Sequence, residues 1–106
     1  TKDGSIHLFR PDENAKRLQR TADRRLLPLV PDDKFVDACK QVVRANEEYH
    51  PPYGTGATLY LRPLLIGGGD IFGVHPADEY IFTLFAMPVG NYFKGGVAPT
   101  TFLIED

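Results

Sequence analysis

Apolar residues recur at helical spacing in the first half of the chain and crowd into strand-like runs in the second. Ala15, Leu18, Ala22 and Leu26 fall on one helical face. Pro11-Asp-Glu-Asn14 opens that segment, with a proline suited to a first turn and acids that complement the helix dipole. Pro28 and Pro31 are expected to end it. Pro31-Asp-Asp33 then starts a second helix. Phe35, Ala38, Cys39, Val42 and Val43 follow the i, i+3, i+4, i+7, i+8 pattern, and Lys34, Asp37, Lys40, Gln41 and Arg44 take the other faces. Burying such a stripe contributes about 1.5–3 kcal/mol per large side chain, and a sheet is the simplest surface to bury it against.

Strands are expected beyond the Pro51-Pro-Tyr-Gly-Thr-Gly56 loop. The strongest runs from Thr58 to Ile66. Gly67-Gly-Gly-Asp70 turns the chain, and a loop continues through Gly73 to Pro76. A second, rich in aromatic and β-branched residues, runs from Glu79 to Met87, and Pro88-Val-Gly90 is expected to stop it. Gly95-Gly96 and Pro99 mark a further loop, and Thr101 to Ile104 a last strand. A short strand is also expected at Ser5 to Phe9, after the turn-forming pair Asp3-Gly4. This order predicts an α+β fold, a mostly antiparallel sheet with two helices packed on one face. The chain starts at Thr1 without a methionine and stops straight after Thr-Phe-Leu-Ile, so a fragment of a longer protein is expected.

Composition narrows the function classes. The 106 residues suit one domain, and a formal charge of −2 supplies no field for nucleic acid or an anionic membrane. No apolar run is long enough to span a bilayer, and no secretory signal precedes the first helix. The lone Cys39 fits a reducing compartment, so a cytoplasmic location is expected. His7, His50 and His75 stand singly, without metal-ligand spacing.

Two features suggest chemistry. Side chains alternate along a strand, so Thr58, Tyr60, Arg62 and Leu64 share one face and Leu59, Leu61 and Leu65 face the helices. Tyr60 and Arg62 then stand about 6.5 Å apart, a phenol donor beside a guanidinium, which suits a ligand bearing carboxylates. Pro63 cannot donate to a ladder, so the strand is an edge or bulged there. The plainer alternative, an edge strand whose arginine reaches solvent, is favoured on pattern alone. Arg17, in mid-helix beside Leu18, could grip a phosphate dianion through a two-pronged contact. It also shares a stripe with Arg20 and Arg24, and spacing alone favours a solvated face.

Other motifs read as structure. Gly54-Thr-Gly56 and Gly67-Gly-Gly69 match neither phosphate-loop pattern and are taken as turns. Asn91-Tyr-Phe93 and the aromatics of the second strand lack the interleaved basic residues of an RNA-binding sheet. No Ser/His/Asp or Cys/His set appears. Lys2, Lys16, Lys34 and Lys40 lie at the leading edge or on polar helix faces, and Lys94 lies in a loop.

Four motifs in order carry a family resemblance: Leu8-Phe9-Arg-Pro11; Asn14-Ala-Lys-Arg17-Leu18 with Arg20-Thr-Ala22; Leu59-Tyr60-Leu-Arg62-Pro63; and Pro88-Val-Gly90-Asn-Tyr-Phe93. Together they resemble the branched-chain amino acid aminotransferases, which are fold-type IV enzymes dependent on pyridoxal 5'-phosphate. The resemblance implies that residues 1–106 form the small N-terminal α+β domain. The start of that domain and the whole cofactor-binding large domain, with its cofactor-carrying lysine, would be missing, so catalytic residues in the strict sense are expected to lie outside this chain. It further implies a homodimer that moves the amino group between leucine, isoleucine or valine and 2-oxoglutarate.

By position, the resemblance assigns Arg17 to the cofactor phosphate, Tyr60 to the substrate α-carboxylate and Arg62 to the distal carboxylate of glutamate. Val74 would line the side-chain pocket of a partner subunit, and Tyr92 would lie near the domain interface. Alternative expectations are another fold-type IV enzyme, either a D-amino acid aminotransferase or an aminodeoxychorismate lyase, or a small non-enzymatic interaction domain.

Overall fold

The computed structural model describes residues 1–70, 72–90 and 98–104. Two α-helices, α1 (Pro11–Arg24) and α2 (Asp32–Ala45), are followed by a single 3-10 turn at Glu47–Tyr49 and two long strands, β1 (Thr58–Gly68) and β2 (Glu79–Val89). The strands pair antiparallel from Thr58↔Val89 to Gly68↔Glu79, giving the small α+β domain expected.

Helix and sheet meet through the side chains that periodicity selected. Ala15, Phe35 and Cys39 form the buried centre, with Leu8, Leu18, Val30, Val36, Leu61, Phe82 and Leu84 packed around them. The Phe35 and Phe82 rings lie 6.2 Å apart at a tilt of 37°, a favourable aromatic geometry joining α2 to β2. Gln19, within α1, ties that helix to the start of α2, its amide donating to the Val30 carbonyl (2.8 Å) and to the Asp32 carboxylate (2.7 Å).

Several boundaries differ from expectation for local reasons. Helix α1 ends at Arg24, ahead of Pro28. Leu26 adopts φ 56°, Leu26 N–H donates to the Asp23 carbonyl (3.2 Å) and Leu27 N–H to the Ala22 carbonyl (2.9 Å). This is the left-handed Schellman closure, and it acts before the prolines can. β1 takes in Gly67 and Gly68, and β2 continues through Pro88, which pairs with Leu59. Pro63 pairs with Leu84 in the same unbroken register, so β1 has no bulge there. The two prolines lie four ladder positions apart and share one class of pair in the alternating antiparallel pattern. Each can point its missing donor away from the other strand.

Neither terminal strand expectation holds. Ser5 to Phe9 is irregular: the Ser5 carbonyl accepts from the Thr1 ammonium (2.9 Å) and the Thr1 hydroxyl (2.6 Å), closing a terminal turn. Thr101 to Ile104 is also irregular and exposed, because an apolar run forms a strand only beside a ladder partner and it has none among the described residues. The expected loop at Gly95-Gly96 lies outside the described residues.

Candidate functional site

The alternation of β1 settles which side chains can meet. Leu59, Leu61, Pro63 and Leu65 are partly buried, whereas Thr58, Tyr60, Arg62, Leu64 and Ile66 are exposed on the opposite face. Across the ladder that open face is completed by Ile81, Thr83, Phe85 and Met87. Tyr60 and Arg62 therefore project together, as their spacing predicts. The Arg62 Cζ lies 5.3 Å from the centroid of the Tyr60 ring, within cation–π range. Arg62 forms no ion pair among the described residues. Its cross-strand neighbour is Phe85, which carries no charge.

Arg17 is presented from the helix layer. Its Nη2 donates to Asn14 Oδ1 (2.8 Å), and Asn14 Nδ2 in turn donates to the Arg10 carbonyl (2.8 Å). This relay fixes one edge of the guanidinium while the side chain stays exposed. The neighbouring cations are already engaged: Arg10 pairs with Asp12 (3.6 Å) and Glu13 (3.5 Å), and Lys16 with Glu13 (2.9 Å). The hydrogen bond and charge of Lys16 hold the Glu13 carboxyl below its ordinary range, and Glu13 pushes the Lys16 ammonium up. Arg17, like Arg20 and Arg24 on the same stripe, has no carboxylate partner among the described residues, and of the three it is the one that borders the cleft between the helices and the start of β1.

A cleft of about 610 Å³ opens between the amino-terminal segment, the helices and the start of β1. Arg17, Asn14 and Tyr60 border it, and Phe35, Cys39, Val43, Leu61 and Leu84 supply much of its wall. Its size is that of an ordinary small-ligand site. The residues fit one end of a phosphorylated cofactor. A guanidinium oriented by an amide and free of carboxylates suits a phosphate dianion better than a point charge does. No lysine lines the cleft among the described residues.

Not every expected residue converges. Arg62 and Val74 do not border this cleft. Val74 stands in the loop between the strands, fully exposed beside the equally exposed Phe72. Tyr92 lies outside the described residues. Asn14, the orienter of Arg17, was not singled out in the sequence, although its i, i+3 spacing on a helix is the signal for such a pair. His50, which stands singly in the sequence, is placed by the fold: its Nε2 lies 2.9 Å from the Val43 carbonyl at the end of α2, and it borders the cleft. Lys2, Lys16, Lys34 and Lys40, the lysines among the described residues, are all exposed. No cluster of three or more His, Cys, Asp or Glu that could hold a metal, and no helix long and apolar enough to cross a membrane, occurs among the described residues.

No family model matches the chain. Individual relatives do. A branched-chain-amino-acid aminotransferase of Haemophilus influenzae is 62% identical over 99% of this chain and 31% of its own length. One of Helicobacter pylori is 54% identical over 89% of the chain and 28% of its own length. A methionine aminotransferase of Arabidopsis thaliana is 54% identical over 89% of the chain and 26% of its own length. The chain thus spans about a quarter to a third of the length of the curated relatives it matches. The likeness read from four short motifs extends along nearly all of it.

Proposed function

We propose, from a chain related along nearly its whole length to the branched-chain-amino-acid aminotransferases, that it is the small domain of such an enzyme. The enzyme moves the amino group between leucine, isoleucine or valine and 2-oxoglutarate, with pyridoxal 5'-phosphate as cofactor, as a cytoplasmic homodimer. The observation that carries this reading is the Tyr60–Arg62 pair, a phenol and an unpaired guanidinium projecting together from an apolar sheet face. Such a transaminase must accept an apolar side chain and an acidic one in turn. A mostly apolar surface with a single cation at its rim meets both demands.

In this reading Arg17, held by Asn14, binds the cofactor phosphate as a bidentate donor. When bound, the cofactor supplies an electron sink for the charge left as the Cα proton moves. The Tyr60 hydroxyl donates to the α-carboxylate and so fixes the amino group's position. Arg62 meets the distal carboxylate of glutamate and stands aside for leucine. The open face of β1 and β2 excludes water from the reacting end. Val74 enters the side-chain pocket of a partner subunit, and Tyr92 lies near the boundary between domains.

The test uses the complete enzyme with leucine and 2-oxoglutarate, following formation of the branched 2-oxo acid and glutamate. Arg62→Ala should raise the KM for glutamate by about tenfold, the loss of a charge-assisted contact, while leaving leucine nearly unchanged. Equal losses on both substrates would remove Arg62 from the distal-carboxylate role. Preference for D-alanine over leucine would replace the reading with a D-amino acid aminotransferase. The similarity to a methionine aminotransferase makes methionine the third substrate to compare.

A further inference from the structure

We infer that the ring of Tyr60 is a positioning platform for Arg62, so that one tyrosine serves both carboxylates, by its hydroxyl for one and its ring face for the other. The inference rests on the reading above and adds a role that the hydroxyl does not require. Its basis is the placement of the Arg62 guanidinium over the Tyr60 ring, with Cζ 5.3 Å from the ring centroid, within cation–π range. No carboxylate holds Arg62 among the described residues, and Phe85 stands opposite it in the ladder. The ring is the contact that sets where this guanidinium rests.

Stacking occupies the flat face of a guanidinium, and its N–H donors lie in the plane. A platform beneath the group therefore leaves the donors free for a two-pronged contact with a carboxylate. The platform also restricts a long side chain before substrate arrives, which lowers the entropy lost on binding. Leucine has no distal carboxylate and gains nothing from this ordering. The ring should therefore govern the ratio of glutamate to leucine efficiency, and the hydroxyl should govern both substrates alike.

The experiment compares Tyr60→Phe, Tyr60→Leu and Tyr60→Trp in the complete enzyme, with kcat/KM measured on glutamate and on leucine. Tyr60→Phe keeps the ring and should lower both values by a common factor, leaving their ratio within about twofold of the parent. Tyr60→Leu should lower the glutamate-to-leucine ratio by a further factor of about three to five, the size of an exposed cation–π contact. Tyr60→Trp offers the best stacking surface and should hold the ratio at or above that of the phenylalanine variant. Equal ratios in the phenylalanine and leucine variants would overturn the platform while leaving the hydroxyl's role intact. A second readout needs no turnover. The Arg62 Nε–H resonance, assigned by its loss in Arg62→Lys, should be shifted upfield by the ring in the parent and in Tyr60→Phe, and released in Tyr60→Leu. An enzyme that transaminates neither substrate would defeat the proposed function, and this resonance would still decide the platform: an unshifted parent signal overturns it.

Discussion

At the scale of single residues, the cofactor end of the site depends on one cation and the core on one aromatic ring and one thiol. Arg17 is oriented by Asn14 and paired with no carboxylate among the described residues. Arg17→Ala in the complete enzyme should weaken cofactor binding by about tenfold or more, the worth of a charge-assisted hydrogen bond. Arg17→Lys should recover only part, since an ammonium lacks the planar fork. A cofactor titration read by equilibrium dialysis checks both, and unchanged affinity in the alanine variant would remove Arg17 from the phosphate role. Phe35 is the bulkiest side chain in the buried centre and packs against the tilted ring of Phe82. Phe35→Ala should cost about 3–5 kcal/mol in a denaturant titration. Cys39 is buried among these groups, and desolvation raises its thiol pKa above the ordinary value. The sign follows from linkage. The fold favours the neutral thiol, so this contribution is fully present below the unfolded pKa and is lost as pH rises through the folded one. Cys39 should therefore resist a disulfide reagent at neutral pH until denaturant is added, and the thiol's own contribution to stability should decline only on the alkaline side.

Elements show where a sequence reading succeeds and where neighbours decide. The α2 stripe was legible because five apolar residues at helical spacing leave few alternatives, and Phe35, Cys39 and Val43 are buried as expected. The Tyr60–Arg62 juxtaposition was legible because a strand has only two faces. The terminal strands failed because a strand is a property of a pair, and neither segment finds a partner among the described residues. The end of α1 was misplaced because Leu26 takes a left-handed conformation that no leucine announces. Since Leu26 is largely exposed there, Leu26→Gly should remove the strain at little cost in packing and stabilise the chain by about 1 kcal/mol, read as a higher unfolding midpoint. A lower midpoint would show that the leucine side chain matters to the closure. The β1–β2 connection gives a paired test. A Cβ placed on Gly67 would lie 2.8 Å from the Ala77 Cβ. Gly67→Ala should cost about 1–3 kcal/mol by overpacking, and Ala77→Gly in the same chain should recover part of it. Absence of coupling in that double-mutant cycle would show that the loop simply moves aside.

Over the molecule as a whole, the helices pack on one face of the sheet, and the other face is left open among the described residues. Its radius of gyration is 17.5 Å, against about 13 Å for a compact domain of this length. Only Ala15, Ala22, Phe35, Cys39 and Val43 are buried among the described apolar residues, while Tyr60, Leu64, Ile66, Ile81 and Phe85 stand exposed on the open face. A two-stranded sheet is marginal alone, and an apolar patch of this kind is a surface that associates. Residues 1–106 expressed by themselves should therefore self-associate as concentration rises. Leu64→Lys with Ile81→Lys places two like charges on the open face, away from the helices, and should restore a monomer with unchanged helix content. Sedimentation velocity across a concentration series, with circular dichroism on the same samples, separates the outcomes. A parent chain that remains monomeric at high concentration would mean that the open face is not a sticky surface, and the case for its being covered in the complete enzyme would weaken with it. Loss of helix content in the double variant would instead show that the face sustains the fold from within. In the complete enzyme the same two lysines should lower activity without unfolding the protein, because they stand on the face that carries the carboxylate-binding pair.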